Sequence, residues 1–202
     1  MLDNILANKN NNDRDEQEYN FTVDGRLEKR NKMIVIDSMK HQDQLRNKGF
    51  GEKLNSIFYV EPYEALFLLY NKRLNLKEKD KFINFSELAK ILLRNDVSIF
   101  TKFLIYRDLR SRGYIAKEGF GFGLDFRVYE RGEYLKKPAK YVVFGINEGL
   151  NIRTRDLNEN IISIEKMGKE GIIAVIERRG EIIYYKINRK RFEKNDKLIS
   201  LI

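Results

Sequence analysis

Between Leu124 and Tyr129 apolar and polar residues alternate without a break, and this run limits the possible fold more than any other feature of the chain. A period of two belongs to a β-strand with one buried face. It turns Leu124, Phe126 and Val128 toward a core and leaves Asp125, Arg127 and Tyr129 on the opposite, polar face. One strand cannot bury its own apolar face, so others must flank it. The neighbouring sequence supplies them. Phe100, Leu104, Ile105 and Leu109 recur at helical spacing and predict a helix through Arg112, stopped by Gly113. Strands are predicted near 114–118, 124–130 and 140–146, and a helix over about 156–167 that buries Leu157, Ile161 and Ile164. A hairpin of strands 171–177 and 181–187 turns around Arg179-Gly180. Residues 99–187 therefore predict a mixed sheet flanked by helices.

Upstream, residues 1–18 are polar and low in complexity, a flexible N-terminus. Residues 19–98 predict a small N-terminal α+β domain. Its strand-like runs are Tyr19–Val23, ending in a turn at Asp24-Gly25, and Met33–Ile36. A helix starts near Pro62 and buries Ala65, Leu66, Leu68 and Leu69. Another starts near Ser86 as N-cap and buries Leu88, Ile91 and Leu92. The fold class is thus α/β in the α+β sense. Residues 188–202 form a basic C-terminal tail that includes Arg189, Lys190 and Arg191 and ends in apolar residues.

Composition narrows the setting. With 42% hydrophobic and 34% charged residues the chain suits a globular protein, not a disordered one. No apolar run approaches the ~18 residues of a membrane span, and the Asn- and Asp-rich start is no secretory signal. No cysteine is present for disulfides or thiolate metal sites, and the expected location is cytoplasmic. Residues 1–100 carry 17 basic and 16 acidic side chains, whereas 101–202 carry 22 and 14, so nearly all of the +9 net charge sits in the second half. Such a half suits contact with phosphates, although a solvated surface would look the same.

Two long segments carry more specific information. Ile105-Tyr106-Arg107-Asp108-Leu109-Arg110-Ser111-Arg112-Gly113-Tyr114 and Gly119-Phe120-Gly121-Phe122-Gly123-Leu124-Asp125-Phe126-Arg127-Val128-Tyr129-Glu130-Arg131-Gly132 resemble the signature of archaeal tRNA-splicing endonucleases. The Ile172–Ile176 strand and the Tyr184-Tyr185 pair are similar to that family's final hairpin. Lys48-Gly49-Phe50-Gly51 and the run from Glu61 to Leu69 resemble its smaller domain. The resemblance covers roughly residues 48–187.

It implies a C-terminal nuclease-like domain that cuts introns from precursor tRNA at bulge-helix-bulge sites, with no metal and no cofactor. Tyrosine, histidine and lysine do the chemistry. A base takes the ribose 2′-hydroxyl proton, an acid protonates the departing 5′-oxygen, and a cation steadies the phosphorane. The products are a 2′,3′-cyclic phosphate and a 5′-hydroxyl. By resemblance the tyrosine is Tyr129 and the lysine Lys169, while Pro138 occupies the histidine position at the head of Pro138-Ala139-Lys140-Tyr141. Proline transfers no proton. His41, the one histidine, precedes the whole matched region. Lys137 and Lys140 are nearby, but a lysine of ordinary pKa is a poor acid at neutral pH. The family's base-gripping arginine would fall at Ile162.

These departures imply a structural, non-catalytic subunit of a heterotetramer, two copies beside two of a catalytic endonuclease subunit, with precursor tRNA as substrate. By resemblance the subunits meet at the edge of strand 181–187, where Ile183 and Tyr185 are candidate contacts. They also meet through an acidic loop between Gly145 and Asn160, represented by Glu148, Asp156 and Glu159, although Asp156 and Glu159 also fit the spacing of a helix start. Arg189, Lys190 and Arg191 are candidate RNA contacts. Three other readings stay open: an active homo-oligomer with a substitute acid, a metal-dependent nuclease using Asp125 and Glu130, and an RNA- or DNA-binding module that takes no part in cleavage.

Overall fold

The computed structural model of the chain describes residues 21–28, 32–121 and 124–190, with only the backbone of Leu124. The expectations for residues 1–18, the start of the Tyr19–Val23 run, Arg191 and the rest of the tail lie outside the described residues.

The first lobe holds β1 (Val23–Leu27), β2 (Ile34–Val35), α1 (Met39–Asn47), β3 (Glu52–Leu54), β4 (Ile57–Val60), α2 (Pro62–Tyr70), β5 (Leu74–Glu78), β6 (Lys81–Ile83) and α3 (Phe85–Leu93). Its six strands form one sheet in the order β3-β4-β2-β1-β5-β6. Asp24 and Gly25 lie inside β1, not in a turn as expected. That strand is bonded on both sides, antiparallel to β2 and parallel to β5. Glycine serves close packing here, since a Cβ at Gly25 would come within 3.0 Å of Ile36 and 3.1 Å of Leu74. α3 is capped by Asn84, two residues before the expected Ser86. Asn84 Oδ1 accepts from Glu87 N–H, and Glu87 in return accepts from Asn84 N–H.

The second lobe follows the expected order: α4 (Ile99–Ser111), β7 (Ile115–Gly121), β8 (Leu124–Tyr129), β9 (Tyr141–Asn147), α5 (Thr154–Lys166), β10 (Glu170–Ile176) and β11 (Ile182–Ile187). Its sheet runs β11-β10-β9-β8-β7, mixed because β9 and β10 are parallel and the other pairs antiparallel. The alternation in β8 is real, with Phe126 and Val128 buried. Gly113 ends α4 at φ 81°, a conformation that favours glycine.

α4 lies between the lobes. Ile99, Phe103, Leu104, Ile105, Tyr106, Leu109 and Arg110 are all buried along it. Tyr63 of α2 packs 5.0 Å from Phe126 of β8 and 4.9 Å from Tyr106 of α4, so a single apolar core runs through both lobes. A buried ion pair crosses the same boundary. Lys117 Nζ on β7 lies 3.0 Å from Glu64 Oε1 on α2 and donates to the Gly51 carbonyl at 3.0 Å. Glu64 Oε2 accepts from Gly51 and Glu61 N–H groups. A smaller core (Val142, Phe144, Ile164) lies under α5 on the other face of the second sheet.

Candidate functional site

The ladder sets the site. Val128 faces Tyr141 across β8 and β9, and Tyr141 faces Glu170 across β9 and β10. One step further toward the same end of the sheet, Tyr129, Lys140 and Lys169 fall in a row. Lys140 N–H donates to the Val128 carbonyl and Glu170 N–H to the Lys140 carbonyl, which fixes that row.

The segment between β8 and β9 folds over the row. It turns at Gly132 (φ 72°) and Leu135 (φ 66°), the latter 76% exposed in a left-handed conformation that costs a non-glycine residue energy. The segment closes a cleft of about 400 Å³ lined by Arg127, Tyr129, Tyr134, Leu135, Lys136, Lys137 and Pro138. The Tyr129 and Tyr134 rings meet edge to face at 5.0 Å, and burial raises the Tyr134 pKa. Arg127 Nη2 donates to Glu52 Oε1 of β3, 3.2 Å away, so the first lobe reaches one wall of the cleft.

Tyr129 and Pro138 thus share the cleft. Lys169 approaches without lining it: its ammonium donates to the Ala139 carbonyl at 2.6 Å and sits 5.9 Å from the Phe120 ring centre. The two candidate substitute acids are held by carboxylates. A hydrogen bond to Glu133 raises the Lys137 pKa. A hydrogen bond to Glu130 raises that of Lys140, with Tyr141 adding to it. Both are weaker acids than a free lysine. His41 is on α1, where its Nδ1 accepts from Asp24 N–H, and it does not line the cleft. Ile162 is half-buried on α5.

Asp125, on the polar face of β8, accepts from Gly145 N–H at 2.6 Å, and its pKa is raised by burial. Among the described residues no group of three or more His, Cys, Asp or Glu side chains could hold a metal ion. No helix among them is long and apolar enough to cross a membrane.

Of the three acidic residues expected in one loop, only Glu148 is in it, because β9 ends at Asn147 and α5 begins at Thr154. Glu148 accepts from Arg178 N–H. Asp156 is in the first turn of α5 and not at its cap, which is Arg153, and the guanidinium of Arg153 donates to it. Glu159 is paired with Arg155. Ile183 and Tyr185 stand 38% and 51% exposed on β11, whose outer edge is unpaired among the described residues. Arg189 pairs with Glu165 of α5, and Lys190 is exposed.

Tyr134, Leu135 and Lys136 were not expected in the cleft, and no periodicity in their loop could have placed them there. Arg127 was legible, because strand parity sets it on the same face as Tyr129.

Residues 99–184 match the family model of the tRNA intron endonuclease catalytic C-terminal domain, and residues 23–89 that of the tRNA intron endonuclease N-terminal domain. The chain is 30% identical over 151 residues to a tRNA-splicing endonuclease of Thermococcus onnurineus, an alignment covering 74% of this chain and 87% of the relative. It is 29% identical over 153 residues to one of Methanococcus vannielii, covering 75% and 86%. With one of Pyrococcus abyssi it shares 27% identity over 146 residues, covering 72% and 84%.

Proposed function

This chain belongs to the tRNA intron endonuclease family, and from that premise we propose that it is a structural, non-catalytic subunit working beside a histidine-bearing paralogue on precursor tRNA. The observation that carries this reading is the cleft itself. Pro138, which offers no proton, stands beside Tyr129 where the resemblance calls for the general acid, and the nearby Lys137 and Lys140 are tied to carboxylates. Without a general acid the rate falls by about 10²–10⁴. The assembly we propose is a cytoplasmic heterotetramer, two of each subunit, that cuts bulge-helix-bulge junctions without metal to a 2′,3′-cyclic phosphate and a 5′-hydroxyl. Ile183 and Tyr185 at the β11 edge are its proposed contacts, since an unpaired strand edge with exposed apolar side chains is a template for pairing. Glu148, Asp156 and Glu159 are a weaker proposal, each having an arginine partner within the chain. Arg189, Lys190 and Arg191 are proposed RNA contacts.

The test is cleavage of a bulge-helix-bulge RNA in EDTA by the folded chain alone, and again with a histidine-bearing family member. Cleavage only in the mixture supports the proposal. Accurate cleavage by the chain alone supports instead an active homo-oligomer, a reading favoured by the shared row of Tyr129 and Lys169.

A further inference from the structure

The cleft has kept cations while lacking the acid. Arg127, Lys136 and Lys137 line it, and no carboxylate does. Lys136 forms no ion pair among the described residues, and Lys137 holds only the rim residue Glu133. Arg127 is 32% exposed and uses one of its N–H groups on Glu52, while its Nε is buried with no partner. A guanidinium carries five donors in a plane suited to the oxygens of a phosphate. Leu135 stands exposed on the rim, an apolar surface for a ribose or base beside the cations. The volume of about 400 Å³ lies within the usual range of ligand clefts.

We infer that this cleft binds a backbone phosphodiester of RNA without cutting it, through Arg127, Lys136 and Lys137, and that Glu52 of the first lobe positions Arg127 for the contact. The inference rests on the reading of the chain as an inert family member and assigns its disabled site a ligand. Glu52 reaches Arg127 at 3.2 Å and lies 3.9 Å from the buried Lys117, so the arginine is held from the same lobe boundary that the buried pair secures. Free phosphate has the same chemistry as an RNA phosphodiester, and the experiment must separate the two.

The experiment is fluorescence anisotropy of a bulge-helix-bulge RNA with the full chain over a salt series. It is repeated with inorganic phosphate as competitor and with K136E, the K136E/K137E double variant and E52Q. Lys136 and Lys137 are exposed, so their reversal leaves the fold intact, which circular dichroism checks. The expected result is weaker binding, with the salt slope reduced by about one for each lysine. E52Q weakens binding while the chain stays folded, which circular dichroism checks. A photo-crosslinking amino acid at Leu135 captures the RNA. Binding unchanged in the double variant, no RNA binding at all, or displacement by millimolar phosphate as effective as by unlabelled RNA would each overturn the inference. Cleavage with the histidine-bearing partner is measured in parallel. If the mixture cuts and the double variant still binds normally, the subunit reading stands and the cleft inference falls. If RNA occupies the cleft and the mixture never cuts, the inference stands and the subunit reading falls.

Discussion

Replacing Lys117 with methionine tests how the two lobes are joined. The side chains of Lys117 and Glu64 are 2% and 0% exposed, and Lys117 Nζ is 3.0 Å from the Glu64 carboxylate. The same ammonium donates to the carbonyls of Gly49 at 3.4 Å and Gly51 at 3.0 Å. Methionine keeps most of the stem, so little cavity opens, but it leaves the Glu64 carboxylate buried with only backbone donors. Breaking a buried pair from one side costs about 3–5 kcal/mol. In a chain of this size each kcal/mol moves the melting temperature by about 2–4 °C, so the expected drop is roughly 6–20 °C. Thermal and urea unfolding followed by circular dichroism at pH 7 read it. Because the core is continuous, unfolding stays a single transition. Adding Glu64→Gln to Lys117→Met removes the orphaned charge while keeping an acceptor for the Gly51 and Glu61 N–H groups, so the double variant recovers part of the loss. A drop below ~2 °C would refute a dry lobe junction held by this pair. A drop that Glu64→Gln does not relieve would refute the stranded carboxylate as its source.

Three further outcomes are expected. Burial, helped by neighbouring Glu64, raises the Glu61 pKa from 4.5 to about 7. The folded value lies above the unfolded one, so this group's stabilisation is full below about pH 4.5 and is lost as pH rises through 7. Glu61→Gln therefore matches the parent near pH 4 and exceeds it at pH 8 by up to ~3 kcal/mol in urea unfolding; equal stability at both pH values would show that Glu61 is ionised and solvated. Pro138→His should raise cleavage by the chain alone by about 10² or more, with the rate falling above about pH 6.5 as the imidazolium loses its proton. An unchanged background would mean that more than the acid is missing. Tyr185→Asp on the exposed face of β11 should abolish co-elution with a catalytic partner and shift stability by no more than about 0.5 kcal/mol; retained co-elution would place the interface elsewhere.

The parts of the fold legible in the sequence were those whose pattern one element settles alone. The alternation in β8, the apolar spacing of α4 and the glycine after it needed no knowledge of the rest of the chain. What escaped depended on a second element. Gly25 looks like a turn residue until Ile36 and Leu74 are seen against it. Asn84 and Ser86 are both plausible caps, and Glu87 three residues after Asn84 was the signal that separates them. Lys117 breaks the rule of alternation outright: Ala116 and Lys117 are adjacent in β7 and both buried. The face that β7 would show to water is covered by the first lobe, and no periodicity within 115–121 reports that cover. At the site, parity marked the face carrying Arg127 and Tyr129, while Tyr134 and Lys136 come from a loop without a period.

Tyr129 and Lys169 invite the inference that a site retaining them must still work, and their contacts weaken it. Tyr129 packs its ring on Tyr134, and Lys169 holds the Ala139 carbonyl. Each has a structural task that proton transfer does not explain. Their positions, moreover, are set by the β8-β9-β10 ladder, whereas the acid position belongs to the loop before β9. A change at position 138 alone can remove the chemistry and leave the ladder and the lobe junction untouched. Under the proposed reading, cutting and binding are therefore separable. On the reading proposed above, a proline at position 138 withholds a proton donor and removes none of Arg127, Lys136 and Lys137, so the phosphodiester contact inferred for the cleft does not depend on cutting.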